Sequence, residues 1–164
     1  MQIKDILYRQ KDNEKIAIEY RDEKISYSQM HKRVKKNAEF ILREAKCLSC
    51  NNIGMFLPNC ISYAIGYFTI AYLDRVIVPI EISLSKPEFL SVINYCEIGM
   101  VITDCNYLVY IQDFCKENSF DLEVFLLDTN RIILIKGQKR RITSEECRGN
   151  VTENSVAIML HTSG

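Results

Sequence analysis

The stretch Val156-Ala157-Ile158-Met159-Leu160-His161-Thr162-Ser163-Gly164 forms the last nine residues of the chain. Five apolar residues come first, and after His161 stand two hydroxyls and a glycine. The apolar run has strand length and no polar alternation, the pattern of a strand buried on both faces. A Thr-Ser-Gly turn after such a strand can aim backbone N–H groups into a shared concavity, and its hydroxyls add donors. That chemistry suits phosphate oxygens, so Thr162, Ser163 and Gly164 are the candidate binding residues. The competing reading is an ordinary turn that ends a strand. A strand buried on both faces needs parallel neighbours and helices on either side.

The upstream sequence supplies that alternation. Residues 16–19 and 24–25 are short strands around the polar turn Arg21-Asp22-Glu23, a hairpin at the edge of the domain. Ser26-Tyr27-Ser28-Gln29 then fits a capping box, with Ile25 and Met30 placed as its hydrophobic staple. The helix it opens runs to about Ala45, with Met30, Val34, Ala38, Ile41 and Ala45 on one face. Lys32, Arg33, Lys35 and Lys36 read as its solvated face; no aromatic residue interleaves with them as nucleic-acid binding would require. Residues 53–57 form a buried strand ended by Pro58, and Asn59 is placed to cap a helix over 60–73. Eleven of those fourteen residues are apolar, which predicts a helix sandwiched by neighbours, with Tyr63, Tyr67 and Tyr72 as packing residues.

The pattern then repeats. Residues 76–80 are a strand, and Ser85-Lys86-Pro87-Glu88 is a second capping box, stapled by Leu84 and Phe89. Its helix points Phe89, Leu90, Ile93 and Cys96 inward and stops before Gly99. A strand over 100–103 leads to Asp104, which caps a helix to about Glu117 with Leu108, Ile111 and Cys115 inward. Residues 124–127 and 132–135 are further strands, the latter followed by a polar Gly137-Gln138 turn. Lys136, Lys139, Arg140 and Arg141 read as a solvated basic run. Strand and helix alternate throughout, which implies an α/β fold with a mostly parallel sheet.

Composition narrows the functional classes. Apolar residues make up 48% and charged residues 26% of 164 residues, ordinary values for one globular domain. A net charge of zero provides no long-range attraction for nucleic acid or an anionic membrane. The most apolar window, 60–73, is shorter than the roughly 20 residues of a membrane-spanning helix, so no transmembrane segment is expected. No secretion signal is legible, and seven cysteines without one predict reduced thiols and a cytoplasmic location. Cys47 and Cys50 are the only C-x-x-C pair and lack companions at metal-ligand spacing, so no metal site is assigned.

The order of these landmarks resembles the adenylate-forming ligases: the AMP-binding family of acyl-CoA synthetases, peptide-synthetase adenylation domains and luciferases. Ile25-Ser26-Tyr27-Ser28-Gln29-Met30 is similar to the family's opening segment, in which a hydroxyl residue and a tyrosine precede Glu or Gln and then Leu or Met. Asn52-Ile53-Gly54-Met55-Phe56-Leu57-Pro58-Asn59 resembles its strand ending in L-P-N, and Val78-Pro79-Ile80 its V-P-L or V-P-I landmark. Residues 88–104 resemble the helix and strand that follow, and His161-Thr162-Ser163-Gly164 resembles the start of its phosphate-binding loop. Two departures stand out. Relatives carry a glycine before the V-P-L strand, where this chain has Ala71-Tyr72-Leu73-Asp74-Arg75, which puts the turn geometry in question. Cys47 and Cys50 also occupy positions where relatives often have glycine or aspartate.

The resemblance implies that residues 1–164 are the N-terminal part of an AMP-binding domain, interrupted inside the phosphate loop. It implies ATP and Mg²⁺ for the parent protein, a carboxylic-acid substrate, and CoA or a carrier-protein phosphopantetheine as acyl acceptor. Thr162, Ser163 and Gly164 would begin the loop that holds the β- and γ-phosphates. The family's catalytic and metal-binding residues all lie further on, so no catalytic residue is assigned here; Glu81 reads as a surface carboxylate and Asp104 as a helix cap. The segment Leu84-Ser85-Lys86-Pro87-Glu88 resembles acyl-CoA ligases and points to a fatty or aryl acid. An amino-acid-activating domain is one alternative, and a non-catalytic remnant binding a nucleotide or a protein is another. The chain alone is expected to be inactive and to self-associate through apolar surface and an unpaired strand edge.

Overall fold

A computed structural model describes residues 2–46, 50–137 and 158–160. The chain begins with a short helix, α1 (Ile3–Tyr8), in which the Asp5 carboxylate accepts the Gln2 N–H at 2.8 Å. A hairpin follows, β1 (Ile16–Tyr20) and β2 (Glu23–Ser26), antiparallel as the sequence predicts. Arg21 takes a left-handed φ of 55° in its turn. Ser26 then caps α2 (Tyr27–Glu44): its hydroxyl accepts the Gln29 N–H, and the Gln29 side chain accepts the Ser26 N–H. The face of α2 facing inward is the expected one, Met30, Val34, Ala38 and Ile41, with Asn37 added to it.

Three strand–helix units come next: β3 (Asn52–Met55) with α3 (Ile61–Tyr72), β4 (Val76–Pro79) with α4 (Lys86–Tyr95), and β5 (Ile98–Thr103) with α5 (Cys105–Asn118). β6 (Leu122–Leu126) and β7 (Arg131–Ile135) follow. The five strands β3 to β7 make one sheet in the order β4-β3-β5-β6-β7, parallel except for the antiparallel pair β6–β7. Ile158 adds a parallel bridge to Ile77 on the outer side of β4, and the Met159 N–H donates to the Ile77 carbonyl at 2.9 Å.

Alternation along each strand divides the core in two. Ile77, Met100, Ile102 and Phe125 join the cluster under α2 and α3; Val78, Val101, Val124 and Leu126 join the one under α4 and α5. Each large side chain removed from water in this way contributes roughly 1.5–3 kcal/mol.

Several expectations need correction. α1 has no counterpart in the sequence reading, because only Leu7 of its six residues is buried and no apolar face repeats. The cap of α3 is Cys60 rather than Asn59. Only one face of α3 is fully buried, through Ile61, Ile65, Gly66, Thr69 and Ile70; Tyr63, Tyr67 and Tyr72 are half-buried against the first core. α4 stops at Tyr95, and Glu97 rather than Gly99 supplies the left-handed residue, with φ 48°; Gly99 lies within β5. Of the terminal apolar run only residues 158–160 are described, and they are not buried on both faces: Ile158 is 39% and Leu160 73% exposed, because they lie at the sheet edge beyond β4.

Candidate functional site

All four parallel strands end at one edge of the sheet, and α3, α4 and α5 each begin there. The chain leaves β3 toward β4 on one side and leaves β5 toward β6 on the other, so the direction of winding reverses between β3 and β5. In open α/β sheets ligands gather outside the carboxyl ends of the strands at such a reversal. Residues 158–160 run parallel to β4 and head for the same edge. The candidate residues Thr162, Ser163 and Gly164 lie outside the described residues, as do His161 and Cys47.

The edge is held rigid by bonds that continue the ladders past the strand ends. The Thr103 hydroxyl, fully buried, donates to the Phe56 carbonyl at 2.7 Å, and the Phe56 N–H donates to Ile102 at 3.0 Å. Ile80 donates to Met55 and Leu127 to Thr103, each at 2.9 Å. The Phe56 ring stacks on Tyr110 at 5.5 Å and meets Phe89 edge-on at 5.1 Å, while the Tyr110 hydroxyl donates to the Leu84 carbonyl. Thr103 and Phe56 are 47 residues apart, so no local pattern in the sequence announces their tether.

The side chains named as acids take the structural roles expected of them. Asp104 caps α5, its Oδ1 accepting the Asn106 N–H at 2.9 Å, and Glu81 is an exposed carboxylate accepting from Ser83. Glu88 completes the box on α4 by accepting both the N–H and the hydroxyl of Ser85, and these bonds hold its carboxyl below the usual carboxylate range. Cys105 sits exposed at the first turn of α5, where a helix N-terminus ordinarily favours a thiolate. Here its hydrogen bond to Asp128 comes first and burial second, and together they push the thiol up. Burial raises the Asp128 carboxyl too, but the bonds it accepts from Cys105 and from the Asp128 and Thr129 N–H groups together outweigh this and hold it low. Cys105 therefore stays a thiol at neutral pH and is not an activated nucleophile. Sequence reading missed the Asp128 partner, which stands 23 residues away.

The tyrosines of α3 behave as packing residues. Burial raises the phenols of Tyr63 and Tyr67, and both rings lie against the first core. The missing glycine before β4 is replaced by Asp74, which adopts a left-handed φ of 54° and accepts Lys4 Nζ at 2.5 Å. Aspartate tolerates that conformation better than most residues, so the turn survives without glycine. The arrangement provides a fixed backbone edge to which residues 158–160 lead.

A family model described as AMP-binding enzyme matches residues 8–164. No curated protein matches the sequence. Among solved structures, O-succinylbenzoate coenzyme A synthetase from Bacillus subtilis, in complex with AMP, is similar with TM-score 0.73 at 16% identity, covering 100% of this chain and 39% of that one. The N-terminal domain of FACL13 from Mycobacterium tuberculosis gives TM-score 0.70 at 16% identity, with coverages of 99% and 42%. The N-terminal subdomain of NpsA from Klebsiella oxytoca, in complex with 3-hydroxyanthranilyl-AMSN, gives 0.69 at 16%, with 99% and 37%. The chain thus spans 37–42% of the length of these structures.

Proposed function

The chain belongs to the AMP-binding enzyme family, and on that premise we propose that it is the N-terminal part of a ligase that activates a carboxylic acid with ATP. A carboxylate oxygen attacks the α-phosphorus, and the bond to the bridging oxygen breaks. Pyrophosphate leaves with the electron pair, and the acyl-adenylate remains. A thiol, of CoA or of a carrier-protein phosphopantetheine, then takes the acyl group and releases AMP. Thr162, Ser163 and Gly164 begin the loop whose N–H and hydroxyl donors hold the β- and γ-phosphates, where fixed donors lower the barrier by meeting charge as it develops. Mg²⁺, when bound, would share that charge, and no described residue is assigned to hold it. The observation that carries this reading is the family match, which runs through residues 162–164.

Pyrophosphate exchange into ATP tests it. The protein containing this chain together with the sequence its relatives have beyond it supports exchange with a carboxylic acid; the chain alone supports none. In that longer protein Ser163→Ala lowers kcat/KM for ATP by about 10- to 100-fold, by loss of one hydrogen bond to a charged phosphate. Exchange by the chain alone would overturn the assignment of the chemistry to later residues, and an unchanged Ser163→Ala enzyme would remove Ser163 from the loop's function. The phrasing of Leu84 to Glu88 supports a fatty or aryl acid, and a panel of such acids against amino acids in the same assay decides between them.

The parent is assigned to the cytoplasm, supported by Cys60, Cys96, Cys105 and Cys115, which form no disulfides and suit a reducing compartment. The isolated chain self-associates, supported by the exposure of Ile158 and Leu160 beside the β4 edge. Light scattering over a concentration series reads this directly, and a monodisperse monomer at the highest concentration counts against it.

A further inference from the structure

α1 is held by few contacts. Of its residues only Leu7 is buried, while Ile6 and Tyr8 stand 46% and 54% exposed. A cavity of about 310 Å³, lined by Lys4, Asp5, Tyr8 and Tyr72, opens beside it. Lys4 pairs with Asp74 just past the end of α3. Beyond the helix the chain is pinned: the Asn13 carbonyl accepts the Ser28 N–H at 2.9 Å and the Lys15 carbonyl the Tyr27 N–H at 3.1 Å. Residues 2–12 therefore form a strap with a fixed end at Asn13.

His31 of α2 lies under the strap. Its ring meets Tyr8 edge-on at 5.9 Å, and its Nε2 is shut from solvent without a hydrogen-bond partner. From the strap side Lys11 faces it, with its ammonium 5.0 Å from the centre of the Tyr8 ring; from α2 itself Lys35 faces it, one turn along. The opposing charge is Asp12. We propose that residues 2–12 are a pH-gated strap, docked on α2 and α3 while His31 is neutral and released when His31 takes up a proton. An imidazolium there would sit near two ammonium groups with one N–H donor buried and unpaired, which disfavours the docked state. Burial first, then Lys35 and Lys11, hold His31 below its ordinary value of 6.5 against the pull of Asp12. The undocked chain therefore binds more protons than the docked one as pH falls through about 6.5, and docking weakens with acid. Release uncovers Tyr72 and the seat of Leu7.

NMR of the full 164-residue chain tests the proposal by following the His31 ring and the Leu7 methyl groups from pH 7.5 to 5.0, with a His161→Gln variant separating the two histidines. His31 is expected to titrate below 6.5, and the docked-to-undocked ratio read from Leu7 to fall severalfold over that range. His31→Phe keeps the ring packing and abolishes the acid response. Lys11→Gln, an exposed change that removes the strap's own ammonium from His31, shrinks it. Titration of His31 at or above 6.5, a Leu7 signal indifferent to pH, or an undiminished response in His31→Phe would each overturn the strap. Should His31→Phe fail to fold, an undiminished response in Lys11→Gln does the same.

Discussion

Two glycines, one facing each core, have opposite prospects. A Cβ on Gly66, within α3, meets Leu127 and Met55 at 3.4 Å, ordinary contact. Gly66→Ala is therefore expected to raise stability by about 0.5–1 kcal/mol, since alanine restricts the unfolded chain and favours helix. A Cβ on Gly54, in the central strand, meets Ile80 at 2.8 Å and Val101 at 3.2 Å. Gly54→Val overfills that site and is expected to cost about 1–3 kcal/mol. Urea denaturation of the two variants checks both signs, and destabilisation by Gly66→Ala would refute the first. Cys115 belongs at this scale too. Burial, then Asp121, pushes its thiol from 9.0 up to about 12. Between those values the folded chain holds a proton that the unfolded chain has lost, so stability is full below pH 9 and falls as pH rises. The slope from this one group is at most about 1.4 kcal/mol per pH unit. Cys115→Val, compared with the native chain in reductant from pH 8 to 10, is expected to show a shallower alkaline loss; equal slopes would deny Cys115 that role.

At the scale of the elements, connections depend on caps and on one buried acid. Removing the Ser26 hydroxyl frees a donor at the first turn of α2, and Ser26→Ala is expected to lower stability by about 1 kcal/mol. Glu123, on β6 and 1% exposed, accepts the Lys46 N–H through both oxygens, at 2.8 and 3.2 Å. It anchors the chain just after α2, 77 residues away in sequence. Glu123→Leu leaves that N–H without its acceptor and is expected to cost about 1–3 kcal/mol. Its amide-exchange signature would be faster exchange at Lys46 ahead of the rest of α2; unchanged exchange there would show that the anchor is dispensable.

For the molecule as a whole, the sheet brings the carboxyl ends of β3, β4, β5 and β6 to one edge and directs residues 158–160 toward it. The absence of ATP–pyrophosphate exchange proposed for the chain alone belongs to this scale, because the described sheet edge does not by itself enclose a nucleotide. The acid release of α1 belongs here as well, since it changes which apolar surface of α3 meets water.

The alternation of strands and helices was legible because period-2 and period-3.6 apolar patterns and capping boxes act over a few residues. Ser26 with Gln29 and Ser85 with Glu88 each lie within one helical turn, so both helix starts were readable and correct. The candidate loop was legible only as a motif, since Thr162, Ser163 and Gly164 lie outside the described residues. Tertiary structure decided what local pattern does not encode: the strand order, the tether of Thr103 to Phe56, the anchor of Glu123 at Lys46, and the docking of α1 on a single buried leucine. It also decided that Asp74 could stand in for glycine, because a left-handed aspartate is held there by a lysine 70 residues away. Such partners are 47 to 77 residues apart, and burial, which makes each contact strong, exists only once the chain has folded around it.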